Sequence, residues 1–434
     1  MPNDGTPADL TGPGDGRPGA GPGARSPAAM RFIMLVVLLD MMAVGLIVPV
    51  LPAWVGQFTS SPDEQAAAYS LVTFSFALAS FIGAPLLGAL SDRFGRRPVL
   101  LLGFCGLALN FFWTAAATSL WMLVASRVVG GGMQANAAVA NAYVADITPP
   151  EERARRFGLL GAMFGLGFIL GPALGGILGA IDLRLPFVVA GGLALGNLVY
   201  GYFVLPESLP ANRRAPLDWK RANPITSLKA LAELKGVGLL VVVLCAGFLA
   251  QFILYTTWVL YNTFKFGWGP AENGWSLFAV GIVSAFVQGV LLSRLLKRFT
   301  PQRLALMGMA SSTLAFALWG LATEGWMVYA VIFANLLGGV VAASMQSVIS
   351  SAAGASEQGR TMGAVSSLSS LMAVLAPLIG PPLLATVSHL PQGDWRIGAP
   401  LFVCAALQAL ALALAWWHFR GRHAMPVANP PPAV

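Results

Sequence analysis

Two charged residues stand where charge is costly. Asp40 lies in Leu38-Leu-Asp-Met-Met-Ala-Val-Gly45 and Arg127 in Leu123-Val-Ala-Ser-Arg-Val-Val-Gly-Gly131, each inside a long apolar run. Such residues in a membrane mark ion and substrate pathways. Asp40 is the one acid placed deep in a run. A carboxyl group in oil can take up a proton and give it back, so Asp40 reads as a proton carrier. A structural acid bonded to a neighbouring helix is the other reading. Arg127 reads as its electrostatic complement or as a tie between helices, and it can act on Asp40 through its field without touching it. Other chemistry is absent from the pattern. Cys105, Cys245 and Cys404 sit in apolar runs without pairing or ligand spacing and read as small core residues. His389, His418 and His423 lie in a loop and near the C-terminus and form no buried cluster. With no phosphate loop, zinc spacing or nucleophile elbow, the chain reads as no enzyme, with no metal and no cofactor.

The elements that must position these residues are membrane helices. The 434 residues are 56% hydrophobic and only 10% charged, with mean hydropathy +0.72. Soluble domains carry about 25% charged residues, and a span needs about 20 apolar ones. Twelve runs meet that length, at 31–52, 68–90, 97–117, 120–144, 157–180, 186–205, 237–261, 272–294, 303–321, 326–349, 361–387 and 398–419. They are long and do not alternate, so they are helices. The expected fold is all-α and integral to the membrane, with twelve helices in two pseudo-symmetric six-helix bundles. Its parts are a disordered cytoplasmic tail (1–29), a first bundle (30–205), a central cytoplasmic loop (206–236), a second bundle (237–420) and a C-terminal tail (421–434). A shift of 205 residues lays Arg298-Phe299 on Arg93-Phe94, a weak internal repeat. Related halves imply a substrate cavity between them at the midplane, with Asp40 held there.

Charge sets the topology. Of 26 Lys and Arg, 22 fall on one side if the N-terminus is cytoplasmic, three (Arg184, Lys265, Arg396) fall opposite, and Arg127 lies within a span. That asymmetry places both termini in the cytoplasm of a multi-pass plasma (inner) membrane protein. It also accounts for the net charge of +8 without a nucleic-acid partner. The partners expected are a small molecule, protons and membrane lipid, with no obligate protein partner.

Three further patterns stand out. Gly88-Ala-Leu-Ser-Asp-Arg-Phe-Gly-Arg-Arg-Pro98 is a short cationic hairpin between two spans, with Gly95 suited to a tight turn and Pro98 to a first helical turn. Asp92, at the mouth, reads as a gate, together with Gly88, Arg93, Gly95, Arg96 and Arg97. The run Gly161-x3-Gly165-x-Gly167-x3-Gly171-Pro-x2-Gly-Gly176 makes a bare helix face for close packing, and Pro172 is expected to bend it. Polar groups in otherwise apolar spans suit flat amphipathic molecules: Asn110, Gln134, Gln251, Tyr255, Trp258, Gln288 and Asn335 are the substrate candidates, although an aromatic in such a span more often serves helix packing or the interface belt. Pro377, Gly380, Pro381 and Pro382 predict a bend or break in the eleventh span.

The hairpin closely resembles the loop between the second and third helices of major facilitator superfamily transporters. Leu39-Asp40 followed by Ile47-Val-Pro-Val-Leu-Pro52 resembles the first-helix motif of twelve-helix drug:proton antiporters. The sequence around Arg127 is similar to the fourth-helix motif linked to proton transfer. Gly167, Gly171, Pro172, Gly175 and Gly176 match the fifth-helix antiporter motif, which is associated with exporters. Within the superfamily the chain looks most like the tetracycline-resistance group, on Ser91–Gly103, Glu152–Gly158, Gly171–Gly176 and Gln358–Gly363. It departs from that group at Asn110 and Ser312, where such exporters carry acids in the third and ninth helices. The resemblance implies a secondary transporter that exports small amphipathic compounds, multidrug or tetracycline-like, against protons by alternating access. It also implies that Asp92 locks against the eleventh helix. A proton-coupled symporter or importer of a metabolite is the alternative, and a non-transporting receptor with this fold a third.

Overall fold

The computed structural model describes residues 27–134, 136–216, 238–352 and 358–422, and every element in them is a helix. Most of the expected N-terminal tail, central loop and C-terminal tail lies outside these residues.

The first half begins with α1 (Pro27–Ile47), which turns at residues 48–50 and resumes as α2 (Leu51–Gly56). Then follow α3 (Pro62–Phe94), α4 (Arg96–Ala115), α5 (Leu120–Gly132), α6 (Asn136–Ile147), α7 (Arg153–Ile181) and α8 (Leu185–Val204). The second half holds α9 (Gly238–Phe266), α10 (Pro270–Phe286), a π-helical turn (Val287–Leu291), α11 (Leu292–Leu296), α12 (Pro301–Leu321), α13 (Gly325–Ala334), α14 (Val341–Ala352), α15 (Gln358–Leu375), α16 (Gly380–Ala385) and α17 (Ala399–Arg422). Local signals set the starts. Ser61 accepts from the Glu64 N–H ahead of Pro62, Ser119 from Met122, and Thr300 from Arg303 ahead of Pro301. Each side chain satisfies an N–H that the first turn leaves open.

Among the described residues ten helices are long and apolar enough to cross a membrane, and α13 with α14 forms one more, bent by 51°. The fourth span is also divided, into α5 and α6. The twelve-helix fold therefore stands, with two spans broken that hydropathy alone reads as continuous. The eleventh span breaks where its prolines predict, through a 3-10 turn at Ala376–Leu378. Pro172 lies inside α7, which runs from Arg153 to Ile181 as one helix.

The core shows how the halves meet. Away from the cationic hairpin, one apolar cluster runs through both halves, from Trp54, Leu107 and Phe187 to Trp258, Trp319 and Leu384. At the hairpin end it divides in two. One cluster (Phe32, Leu100, Phe104, Val144) belongs to the first half and another (Leu240, Val243, Met309, Ala415) to the second. The halves are packed together at the far end and have separate cores at the charged end.

Candidate functional site

Asp40 is 4% exposed on α1. It lines a small cavity with Val36, Val37, Leu100, Phe104, Ala140 and Phe164. The free space is about 10 Å³, close to the minimum for one water. All the walls of this cavity come from α1, α4, α6 and α7, so the cavity beside Asp40 lies within the first half, whereas the expectation set the acid between the bundles. α1 packs chiefly against α7 and α8 of its own half.

Arg127 is also buried. Its Nη2 reaches Thr114 Oγ1 at 3.5 Å and its guanidinium lies 6.0 Å from the Phe76 ring. Thr114 is ten residues beyond Phe104 on α4, so Arg127 and the Asp40 cavity are about 15 Å apart along the helix. Two unit charges at that separation interact by about 1 kcal/mol at an effective dielectric of about 20. Any coupling between them acts through the field and not through contact.

The glycine run of α7 has two working faces. A β-carbon at Gly167 would lie 2.7 Å from the Leu38 carbonyl oxygen, and one at Gly171 2.7 Å from that of Met42; at Gly175 it would collide with that of Leu46. This face grips the segment of α1 that carries Asp40. The adjacent face meets the other half. A β-carbon at Gly176 would lie 2.6 Å from the Pro270 carbonyl oxygen, one at Gly274 2.6 Å from that of Pro172, and one at Gly281 2.6 Å from the Ile169 side chain. Toward the charged end, Gly158, Gly161 and Gly165 are exposed, and a β-carbon on any of them would meet nothing within 4 Å.

The charged hairpin is fastened to its own half. Arg96 binds Asp92 at 2.5 Å, Asp146 at 3.2 Å and Ser91 Oγ at 2.6 Å. Arg97 donates to the Tyr202 carbonyl at 2.6 Å. Asp92 is 52% exposed, and its ion pair is with Arg96. The side chains at the start of the eleventh span, against which the lock was expected, lie outside the described residues. Gly88 has no atom within 4 Å of a built β-carbon, and the Arg93 guanidinium lies 5.2 Å from the exposed Phe94 ring.

Glu207, which sequence reasoning passed over, is the buttress of this hairpin. Its carboxylate accepts from Arg96 N at 2.8 Å and Arg97 N at 3.3 Å, capping α4 with negative charge at the helix N-terminus. Gly95 has φ +107°, and a β-carbon there would strike Glu207 Oε2. Both the turn and the buttress therefore require glycine. An acid two residues after the sixth span was the only signal in the sequence. Glu207→Ala is expected to lower the thermal unfolding midpoint in detergent, at a cost of about 1–2 kcal/mol. Glu207→Gln, which keeps one acceptor, loses only the charge–dipole part, about 0.3–1 kcal/mol.

The substrate candidates divide. Asn110 is 1% exposed inside the first half, packed where Gly130 leaves room. Trp258 is buried in the second half, donating to Ser276 Oγ at 3.1 Å with its ring 5.0 Å from that of Trp319. Neither reaches a cleft, because helix rotation turns both into the core. Gln134 and Asn335 stand at the breaks of the fourth and tenth spans, and Asn335 Oδ1 accepts from Ser311 Oγ at 2.8 Å. Tyr255 is exposed, Gln251 half-buried, and Gln288 is exposed in the π turn, a rare geometry often found at functional sites.

Lys265, expected opposite the charged face, is a buried cap, donating to the Gly320 carbonyl at the end of α12 at 2.6 Å. Beside it, hydrogen bonds from Arg396 push the Asp394 carboxyl pKa down to about 2, with Lys265 adding to the effect. Cys105 is exposed and Cys245 half-buried, so only Cys404 is a core residue.

These features define a polytopic membrane protein of two helical halves, joined at one end and parted at the other. The family model "Major Facilitator Superfamily" matches residues 33–377. The chain belongs to the major facilitator superfamily. It is 36% identical over 380 residues to the tetracycline resistance protein, class C, of Escherichia coli, covering 87% of this chain and 96% of that one. It is 36% identical to the class D protein of Salmonella ordonez, covering 85% and 93%. The resemblance to the tetracycline-resistance group therefore holds. Among solved structures, the human organic anion transporter MFSD10 (TETRAN) superposes with TM-score 0.63 at 25% identity, covering 90% of this chain and 100% of that one. A bacterial homolog of the human lysosomal transporter Spinster, inward-facing and unoccupied, gives 0.69 at 15% identity, covering 91% and 98%, a likeness of fold alone.

Proposed function

We propose that this chain is a proton-coupled exporter of small amphipathic compounds, working by alternating access, with tetracyclines the first cargo to test. The observation that carries this reading is α7. One face of it grips the Asp40 segment of α1, and the next forms the seam with α10 that joins the halves at the far end. A movement that opens that seam must also move the helix holding the acid, which is how protonation and access would be linked. The charged face is read as cytoplasmic from its arginines. The state described is then open toward the cytoplasm and closed outward. Asp40 is the proposed proton carrier and Arg127 a distant electrostatic partner. Gln251, Tyr255 and Gln288 are the proposed cargo contacts. The relatives named for tetracycline resistance support the choice of cargo.

Everted vesicles that have acidified their lumen provide the test. Adding tetracycline, or another member of an amphipathic drug panel, should release protons in vesicles holding this protein and not in empty controls. A panel of chemically varied drugs that releases none would overturn the reading.

A further inference from the structure

Pro377 and Pro381 stand four residues apart in the broken eleventh span. A helical carbonyl accepts from the N–H four residues on, and proline has none to give. The Pro377 carbonyl is therefore deprived of its helical donor by the sequence itself. It is buried against the other half, and Ser70 Oγ of α3 donates to it at 2.6 Å. The polar neighbours of Ser70 behave differently. Thr73 Oγ1 donates to the Tyr69 carbonyl and Ser75 Oγ to the Leu71 carbonyl, both at 2.7 Å and both within α3. Such back-bonding is the ordinary habit of a hydroxyl on a helix. Ser70 instead bonds across the junction of the halves, at the end where they share one core.

We propose that Ser70 and the Pro377 carbonyl form a latch that holds the far end shut, and that Pro381 keeps the carbonyl free to receive it. The bond exists only while α3 and the eleventh span are in contact. When the halves part there, both groups must pass to water. The latch therefore favours the closed far end without changing either half. It rests on the alternating-access reading.

The test measures distances between spin labels at Gln57→Cys and Glu324→Cys, two exposed far-end positions, one on each half, with Cys105, Cys245 and Cys404 replaced by alanine. The wild type should show a short and a long population whose ratio responds to tetracycline and to pH. Ser70→Ala should lower the ratio of short to long about two- to tenfold, the effect of one net hydrogen bond. Ser70→Thr, which keeps the hydroxyl, should restore most of it. Pro381→Ala restores an N–H, and on that background Ser70→Ala should shift the ratio less than on the wild type. A Ser70→Ala ratio equal to wild type overturns the latch, and an undiminished shift on the Pro381→Ala background overturns the role given to Pro381. A single wild-type population under every condition would instead remove the alternating-access reading, and the latch with it.

Discussion

Replacing Asp40 with asparagine is expected to reduce proton-driven efflux in everted vesicles to background, while the protein still inserts and purifies as wild type does. The two side chains have nearly the same shape, so the tightly walled cavity around residue 40 can be refilled without repacking Phe104 or Phe164. What is lost is the ability to change charge. A permanently neutral side chain resembles the protonated acid, so exchange of labelled for unlabelled drug at equal pH should persist, since it needs no net proton movement. That combination separates a carrier from a structural acid. Loss of both activities together with loss of folded protein would show a structural role. Wild-type export against a gradient would exclude Asp40 from coupling altogether.

The second large effect is expected along α7. Gly175→Ala should deplete folded protein from the membrane, because its β-carbon lands on the Leu46 carbonyl oxygen. Overpacking among movable side chains costs about 1–3 kcal/mol. Here the atoms struck are the Leu46 backbone, which cannot yield without moving the helix that carries Asp40. Gly161→Ala, about four turns toward the charged end, meets nothing within 4 Å and should leave the yield unchanged. Gly274→Ala has a third outcome. Its β-carbon would meet the Pro172 carbonyl oxygen at 2.6 Å and the Gly176 Cα at 2.9 Å, across the seam between the halves. Each half can fold around that change, so the variant should be monodisperse but hold its far end open, which labelling of a far-end cysteine would detect. Equal yields for Gly175→Ala and Gly161→Ala would remove the close-packing argument.

The spans, the charge asymmetry, the buried depth of Asp40 and the family were legible in the sequence, because each follows from local composition or from residues close together in the chain. The broken eleventh span was legible for the same reason, since Pro377, Pro381 and Pro382 break their own backbone ladder. The residues around the site were less legible. Hydropathy fixes that Trp258, Lys265 and Asn110 lie in or beside a span; it does not fix which way each points. Trp258 turned into the core the two halves share, Asn110 into the interior of the first half, and Lys265 onto the end of α12.

The amino-acid sequence by itself determined that this chain crosses the membrane many times, that it keeps one acid in oil, and that its fifth span is bare enough for backbones to touch. Tertiary structure alone decided what those features touch. Glu207 found α4 across 111 residues, Ser70 found Pro377 across 307, and the α7 glycines found α1 on one face and α10 on the next. The physical reason is that burial in lipid is set by each segment's own composition. Partnership is set by helix rotation and by which backbones can approach, and these depend on segments far apart in the chain.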